Sequence, residues 1–356
     1  MTDQPTAIDD ATIAAIRGAS RVCFFAHYHP QGITADHVLF YLAALKQAGF
    51  SVVVLSTATM DAGEQAKLRG ACAALVMREN RGLDFGGWME AVKLFFPLTA
   101  EFLLLANDSV YGPLADLGAF IARLTAVPAD FYGIIESYEA GRAHFQSWFL
   151  LLRPSAYRSP AFATLMSTPI SDTMSKLDII VTYEQGLTGR LRQAGLIGHP
   201  WFSVEDGGRV ARQFHYNPMQ LTWCQLVARK AVPFVKIELL RDNPMRVPDA
   251  GGWRRVVGAR AAKLVPMIAD DLARRQRLPG MTLLQRLEWS VDEGNPAVWP
   301  ELRRFVVLNT ASSRLTARLG WIAFRLTEPL GRRARAWVRE RASAAPARDN
   351  VADPGA

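Results

Sequence analysis

Residues 102–109 read Phe-Leu-Leu-Leu-Ala-Asn-Asp-Ser, an apolar run that stops at an amide, a carboxylate and a hydroxyl. Such a run is typical of a strand that is buried on both faces of a parallel sheet. Polar residues directly after such a strand lie at the edge of the sheet where open α/β folds bind their ligands. The sequence therefore predicts a strand over Phe102–Ala106 and a binding loop that begins at Asn107.

Three further apolar runs precede this strand, and each is followed by a stretch with helical spacing or composition. The predicted strands are Val22–Ala26, Phe50–Leu55 and Ala74–Met77. The predicted helices are His37–Ala48, a stretch around Asp61–Arg69, and one that Asp84 would cap. Buried strands that alternate with amphipathic helices favour a mostly parallel, right-handed α/β sheet.

The second part of the chain has a different pattern. Two predicted strands, Phe131–Glu136 and Phe145–Leu152, have only the loop 137–144 between them. Strands joined by so short a connection are antiparallel, so we expect an antiparallel or mixed edge to the sheet. A helix is predicted from Tyr183 to Gly195.

Composition limits the class of protein. The chain has 356 residues, of which 50% are hydrophobic and 21% charged, an ordinary balance for one large domain or two smaller ones. No apolar run approaches the roughly 18 residues of a membrane span, and the N-terminus is polar and acidic, unlike a signal peptide. The three cysteines are far apart, so neither a disulfide framework nor a zinc ribbon is expected. These features predict a cytoplasmic protein.

The net charge of +8 is concentrated near the C-terminus, where ten arginines and three glutamates lie between Glu301 and Arg341. Arginines from Arg314 to Arg339 recur at spacings of four and seven beside a row of leucine and isoleucine. This pattern is typical of a basic helix on an anionic membrane surface, although a helix packed on the body of the protein explains it equally well. Because the rest of the chain is nearly neutral, nucleic acid is not an expected partner.

The pair Gly251-Gly252 indicates a domain boundary. We therefore predict an α/β domain over residues 1–250, a helical, arginine-rich extension over 251–341, and a disordered tail over 342–356.

Three loops at the carboxyl ends of predicted strands carry the candidate site residues. They bring imidazole, guanidinium, amide and carboxylate groups to one edge of the sheet, from His27, Arg78, Asn80, Arg81, Asp84, Asn107 and Asp108. Arginine or a metal ion neutralises phosphate, so this mixture predicts a site for a nucleoside diphosphate. Taken singly, each residue has a simpler interpretation: Asp84 as a helix cap, Asn107-Asp108 as a turn, His27 as a core residue. The sequence contains no G-x-G-x-x-G, P-loop, H-E-x-x-H or G-x-S-x-G motif.

The predicted helix at Tyr183 carries a resemblance to known enzymes. It is similar to the E-D-x-D-L-x-x-R-L-x-x-A-G stretch of inverting glycosyltransferases with the GT-A fold, with Leu187, Arg190, Leu191, Ala194 and Gly195 in register. In that register Glu184 falls where those enzymes carry the carboxylate general base. Asn107-Asp108-Ser109 likewise falls where they carry the D-x-D metal motif.

The order of several motifs resembles more specifically the rhamnan synthesis protein F family. The matching pieces are Ala26-His27, Arg78-x-Asn80-x-Gly82-x-Asp84-Phe85-Gly86, Asn107 to Pro113, His144 to Leu150, the Tyr183-Glu184 helix, Asn217-Pro218, Pro233 to Lys236 and Asn243-Pro244. They leave the chain after Gly252 uncovered.

The resemblance implies a GT-A-like α/β fold and a transferase in surface polysaccharide or O-antigen synthesis. Such an enzyme moves a sugar, typically rhamnose, from a nucleoside diphosphate such as dTDP-rhamnose to a saccharide or lipid-linked saccharide. Glycosyl transfer needs a carboxylate to take the proton of the acceptor, which gives Glu184 a role. Lys236 joins the other basic residues as a candidate for the departing diphosphate. Gln146 and Ser147 are candidates for binding the acceptor sugar, with a hydrogen-bonded strand end as the alternative interpretation.

Asn107-Asp108-Ser109 supplies one carboxylate where the D-x-D motif supplies two. Two interpretations of how the diphosphate is neutralised stay open. Asp108, the diphosphate and water could hold a Mn or Mg ion, or basic side chains alone could neutralise the charge. The incomplete motif also leaves open a non-catalytic subunit of the same fold that binds a nucleotide-sugar or a polysaccharide. The retained Glu184 argues against that alternative.

Overall fold

The computed structural model describes residues 8–139, 142–171, 173–203, 217–243 and 247–275. The strands are β1 Arg21–His27, β2 Ser51–Ser56, β3 Ala74–Met77, β4 Phe102–Asn107, β5 Val110–Tyr111, β6 Phe131–Glu139, β7 Arg142–Phe145, β8 Phe149–Leu152, β9 Gly198–Phe202 and β10 Val235–Lys236. The longer helices are α1 Asp10–Gly18, α2 Asp36–Gln47, α3 Ala62–Ala71, α4 Leu83–Phe95, α5 Leu117–Leu124, α6 Pro160–Ser167, α7 Gln185–Gln193, α8 Trp223–Lys230, α9 Trp253–Ala261 and α10 Leu264–Arg274. Short helical turns cover Pro154–Tyr157, Lys176–Ile179, Ile180–Glu184, Pro218–Leu221, Ile237–Arg241 and Pro248–Gly252.

An eight-stranded sheet forms the centre of the fold, with strand order β3-β2-β1-β4-β8-β6-β7 and with β9 paired to β6. The first four strands in this order are parallel to one another. Strand β8 is antiparallel to β4 and to β6, so the sheet is mixed on that side. The prediction of a mostly parallel α/β sheet with a mixed edge is confirmed.

Strand β1 shows why the predicted strands are apolar throughout. Its Cys23 and Phe25 pack with α2 and α5 on one face of the sheet. Its Val22 and Phe24 pack on the other face with α1, α4, α6 and α7. Because both faces are covered, neighbouring positions enter different cores and all must be apolar.

The segment 137–152 differs from the sequence-based expectation. The predicted loop 137–144 is largely the β6–β7 hairpin, in which Glu136 is paired with Phe145. The single strand predicted over Phe145–Leu152 is interrupted at residues 146–148. There the side chain of Gln146 accepts a hydrogen bond from the Trp148 indole (2.6 Å), which turns the chain between β7 and β8.

Two predicted helix starts are also corrected. Asp84 does not cap α4: Gly82, with a φ of 73°, occupies the N-cap position, and Asp84 lies in the first turn. The helix predicted to begin at Tyr183 begins further upstream. A turn at Lys176–Ile179 continues through a π-helical turn, Ile180–Glu184, into α7.

The chain after Gly252 continues as two helices that belong to a third core. In this core α9 and α10 pack with the small β5–β10 ribbon and with α8. Residues 276–356, which include the arginine-rich stretch from Arg314 to Arg339, lie outside the described residues, so the predicted extension and tail remain predictions. None of the helices in the described part of the chain has the length and apolar character to cross a membrane.

Candidate functional site

A cavity of about 460 Å³ lies at the carboxyl ends of β1, β2, β3 and β4. Of the seven residues predicted to bind a donor, all but Asn107 line it: His27, Arg78, Asn80, Asp84, Asp108 and Lys236. Lys236 reaches the cavity because β10 pairs with β5, directly after the Asn107-Asp108-Ser109 loop. The structure therefore brings together segments that are up to about two hundred residues apart in the sequence.

Asp108 and His27 are adjacent in this cavity. Oδ2 of Asp108 accepts a hydrogen bond from the backbone N–H of Tyr28 (2.9 Å) and lies 3.9 Å from Nε2 of His27. Burial is the main cause that raises the pKa of Asp108 to about 7, and the negative charge of Asp84 raises it further. The hydrogen bond from Tyr28 and the positive charge of Arg275 lower this pKa and offset part of the rise. Burial lowers the pKa of His27 to about 3, so this imidazole is neutral at pH 7. His27 can exchange hydrogen bonds in the cavity, but it supplies no positive charge.

Asn107 is buried and does not line the cavity, but its side chain orients two residues that do, Asp84 and Ser109. Its Nδ2 donates a hydrogen bond to Oδ2 of Asp84 (2.6 Å). Its Oδ1 accepts hydrogen bonds from the backbone N–H (3.1 Å) and the hydroxyl (2.7 Å) of Ser109. Asn107 is thus a link between the two loops that carry Asp84 and Asp108.

The loop before α4 depends on Gly86. A Cβ at this position would overlap the carbonyl oxygen of Arg81. The same carbonyl accepts a hydrogen bond from Nη2 of Arg78 (2.6 Å), and Nε of Arg78 donates to Glu90 (2.9 Å). Arg78 lines the cavity, but its hydrogen bonds hold the loop in shape. Arg81 is 69% exposed, pairs with Glu79 and does not line the cavity.

Glu184, the predicted general base, does not line the cavity. Its Oε1 accepts a hydrogen bond from the backbone N–H of Ser147 (2.9 Å). Because Phe149 pairs with Ala106, Ser147 lies near the end of β4, beside the Asp108 loop. The next residue, Trp148, lies under the ammonium group of Lys236, 5.8 Å from it. Glu184 is therefore connected through Ser147 and Trp148 to Lys236, which lines the cavity.

The side chain of Gln146 forms hydrogen bonds with other residues of the protein. It is buried, and its Nε2 donates hydrogen bonds to Ser137 (2.6 Å) and Asn217 (2.8 Å). Its Oε1 accepts the bond from the Trp148 indole. All the hydrogen-bonding groups of this amide are therefore engaged within the protein. Its predicted role in binding the acceptor sugar stays a prediction, as does that of Ser147.

The described residues contain no cluster of three or more His, Cys, Asp or Glu side chains that could hold a metal ion. They do place two carboxylates, Asp84 and Asp108, in the same cavity. The raised pKa of Asp108 shows that ionising it there is costly, and a divalent cation would remove that cost. With phosphate and water oxygens as further ligands, the two carboxylates fit a hard cation such as Mg or Mn.

Sequence reasoning missed two arginines that line the cavity, Arg241 and Arg275. Arg241 ends the helical turn Ile237–Arg241, just before the Asn243-Pro244 motif, and it is paired with Asp242. Arg275 lies beyond the predicted boundary, just after α10. No motif or spacing connects either residue to the loops at the sheet edge. The pairing of β10 with β5 brings Arg241 there, and the packing of α10 brings Arg275.

Two groups of curated proteins are similar to this chain. The virulence protein VirA of Vibrio anguillarum (strain ATCC 68554 / 775) is 27% identical over 208 residues, which cover 50% of this chain and 66% of VirA. The uncharacterized protein y4gN of Sinorhizobium fredii (strain NBRC 101917 / NGR234) is 25% identical over 127 residues, which cover 34% of this chain and 33% of that protein. The chain thus spans 66% or less of the length of these relatives.

Distant likenesses are found among solved structures. The glycosyltransferase GlyE of Streptococcus pneumoniae TIGR4 has a TM-score of 0.38 and 10% identity, covering 74% of this chain and 66% of that chain. The S. aureus TarS 1-349 structure in complex with UDP has a TM-score of 0.33 and 12% identity, covering 83% of this chain and 93% of that chain.

A family model, described as rhamnan synthesis protein F, matches residues 52–275 of this chain. The match covers well over half of the sequence and includes the loops that carry Arg78, Asp84 and Asp108. It also continues past Gly252, where the motif resemblance ended, to Arg275. This chain belongs to the rhamnan synthesis protein F family.

Proposed function

We propose that this chain transfers a sugar from a nucleoside-diphosphate donor to a saccharide acceptor, with inversion at the anomeric carbon. The observation that carries the proposal is the cavity in which the carboxylates of Asp84 and Asp108 occur together with the cations Lys236 and Arg275. A nucleoside diphosphate needs cationic side chains for its phosphates and carboxylates for an accompanying divalent ion. The cavity volume of about 460 Å³ falls within the range of small-molecule sites.

Asp108 and Asp84 would hold the divalent cation in this proposal, and the donor diphosphate and water would complete its ligands. When bound, Mn or Mg would stabilise the negative charge that develops on the leaving diphosphate. Asp84 supplies the second carboxylate that the D-x-D position lacks. Asn107 keeps it in place through the 2.6 Å hydrogen bond to Oδ2.

Glu184 is the proposed general base. It would take the proton of the acceptor hydroxyl while that oxygen bonds to the anomeric carbon and the bond from this carbon to the diphosphate oxygen breaks. Attack from the side opposite the diphosphate gives inversion. The hydrogen bond from Ser147 to Glu184 supports this role, because it holds the carboxylate near the end of β4.

The family supports rhamnose as the sugar, and we propose dTDP-rhamnose as the donor. The proposed acceptor is a saccharide of a surface polysaccharide, lipid-linked during its synthesis, with Ser147 near its binding site. We propose a cytoplasmic location, peripheral at the inner face of the membrane. The arginine-rich stretch from Arg314 to Arg339 would bind the anionic lipid surface.

One observation favours a second candidate function. Glu184 does not line the cavity, so the chain could bind a nucleotide-sugar without transferring it. In that case it would be a non-catalytic, nucleotide-sugar-binding or polysaccharide-binding subunit of the same fold.

A donor assay distinguishes the two candidates. Purified protein is incubated with dTDP-rhamnose and other nucleoside-diphosphate sugars, with and without Mn or Mg, and the released nucleoside diphosphate is measured. We expect release from one donor, loss of release in Asp108→Ala, and a strong decrease in Glu184→Gln. Donor binding without release, even with saccharide acceptors added, would favour the binding subunit. If no donor binds in a separate titration, both the transferase and the nucleotide-sugar-binding subunit are contradicted, and only a polysaccharide-binding subunit remains.

A further inference from the structure

Arg275 differs from the other two arginines that line the cavity, Arg78 and Arg241, in how its side chain is bonded. Among the described residues, its guanidinium makes one hydrogen bond, from Nε to Oδ2 of Asp271 (2.7 Å). Both Nη atoms are without a hydrogen-bond partner there, although the side chain is only 8% exposed. By contrast, each of the three guanidinium nitrogens of Arg78 donates a hydrogen bond within the protein, and Arg241 is held by Asp242.

Asp271 is fixed from several sides. It is buried, and its Oδ2 accepts hydrogen bonds from both Arg275 and the hydroxyl of Tyr111 (2.6 Å). Its Oδ1 lies 3.4 Å from Nε2 of His29 and 3.9 Å from Nδ1 of His37. Since Tyr111 follows Asp108 by three residues, Asp271 connects α10 to the loop that carries the proposed metal ligand.

A neighbouring ion pair on the same helix shows that Asp271 and Arg275 are unusual. Asp270 and Arg274 have the same i,i+4 spacing and a similar distance of 2.8 Å, but they are 58% and 51% exposed. Burying an ion pair removes both charges from water, and the attraction between them often fails to repay that cost. Stability alone therefore does not account for a buried arginine whose two Nη atoms are left unbonded beside a polar cavity.

We propose that Arg275 binds the diphosphate of the donor through its Nη atoms and that Asp271 is its positioning residue. This inference rests on the proposed function, since it assumes that the cavity holds a nucleoside diphosphate. A guanidinium whose Nε is held by a carboxylate keeps its Nη donors in a fixed plane, which suits bidentate contact with phosphate oxygens. The C-terminal helices would thus complete the donor site rather than form a separate unit from it.

Titration calorimetry of the full chain with dTDP, UDP, GDP and inorganic pyrophosphate, in Mn and in Mg, tests the assignment of Arg275. We expect Arg275→Ala to bind the preferred nucleoside diphosphate and pyrophosphate roughly 10- to 100-fold more weakly, because charge-assisted hydrogen bonds are lost. Arg274→Ala is the matched control and should bind as the wild type does. Arg275→Lys keeps the charge but not the planar donors, so an intermediate loss is expected, and this variant replaces the alanine variant if that one does not fold.

A double-mutant cycle tests the positioning role of Asp271. Asp271→Asn should weaken diphosphate binding in the wild-type background and add nothing in the Arg275→Ala background, because Asp271 acts through Arg275. Equal losses in both backgrounds would reduce Asp271 to a structural role. Unchanged affinity in Arg275→Ala and Arg275→Lys would overturn the assignment of Arg275 while leaving the proposed function standing. A wild-type protein that binds none of these diphosphates would instead overturn the proposed function, and this inference with it.

Discussion

Nδ2 of Asn107 donates a 2.6 Å hydrogen bond to Oδ2 of Asp84, so an amide at the D-x-D position holds a carboxylate that comes from another loop. The second acidic group of the site is therefore present in the fold although it is absent from the motif. Asp84 reaches this position because α4 begins directly after the loop that follows β3.

Exchanging the amide and the carboxylate between positions 107 and 84 tests this hydrogen bond. Asn107→Asp places two carboxylates at hydrogen-bonding distance, so we expect the free energy of unfolding to fall by about 1–3 kcal/mol. Adding Asp84→Asn restores a donor opposite a carboxylate and should recover most of the loss. Chemical denaturation of the two single variants and the double variant measures this. No recovery in the double variant would show that the hydrogen bond is not what stabilises this arrangement.

The pKa of Asp108 leads to a prediction about stability and pH. The carboxyl titrates near 3.8 in the unfolded chain and at about 7 in the folded protein. Between these values the unfolded chain releases a proton that the folded protein retains, so stability falls as the pH rises. Asp108→Asn does not titrate, so its stability relative to wild type should increase from pH 4 to pH 7 and stay constant above. Denaturation curves at several pH values, with chelator present, check this, and an equal difference at pH 4 and pH 8 would contradict it.

Two neighbouring glycines should respond differently to alanine. A Cβ at Gly86 overlaps the carbonyl oxygen of Arg81, whereas the nearest atom to a Cβ at Gly87 is Cβ of Leu55, at 3.4 Å. We expect Gly86→Ala to distort the loop that orders Arg78 and to cost about 1–3 kcal/mol of stability, with loss of nucleotide binding. Gly87→Ala is the matched control for stability and should be as stable as the wild type; because Gly87 itself lines the cavity, nucleotide binding is compared between Gly86→Ala and the wild type. Melting curves of both variants and nucleotide titration of Gly86→Ala test this prediction, and equal stability of the two variants would contradict it.

The role of Glu184 predicts a separation of binding from turnover. Glu184→Gln keeps an oxygen that can accept the Ser147 hydrogen bond, so donor affinity should stay within about twofold. Turnover should fall by about 10²- to 10⁴-fold, because the general base is lost. Glu101→Gln, at an exposed carboxylate, is the control for turnover and affinity. Undiminished turnover in Glu184→Gln would assign the base to another residue.

The sequence predicted the sheet well where burial leaves a strong pattern. Strands such as β1 and β4 lie within one residue of their predicted bounds, because both faces of each strand are covered and the run of apolar residues is continuous. The β6–β7 hairpin was wrongly assigned to a loop. The polar residues of the predicted loop 137–144, among them Ser137 and His144, resemble loop composition when their pairing is not known.

The candidate site was predictable only in part, for a similar reason. The loops at the carboxyl ends of parallel strands must meet at one edge of the sheet, so His27, Asp84 and Asp108 could be placed together from the strand order alone. Arg275 could not, because its position depends on how α10 packs against Tyr111 and His37. The sequence also could not predict that the side chain of Arg78 forms hydrogen bonds within the loop. These bonds depend on the orientation of the backbone carbonyl of Arg81.

A crystal structure of the full chain with Mn and the nucleoside diphosphate that binds most tightly tests the central claim most directly. We predict an anomalous manganese peak between Asp84 and Asp108, with the diphosphate bound to it and to Lys236 and Arg275. A nucleotide bound outside this cavity, or one bound within it whose phosphates contact none of these four residues, would contradict the account.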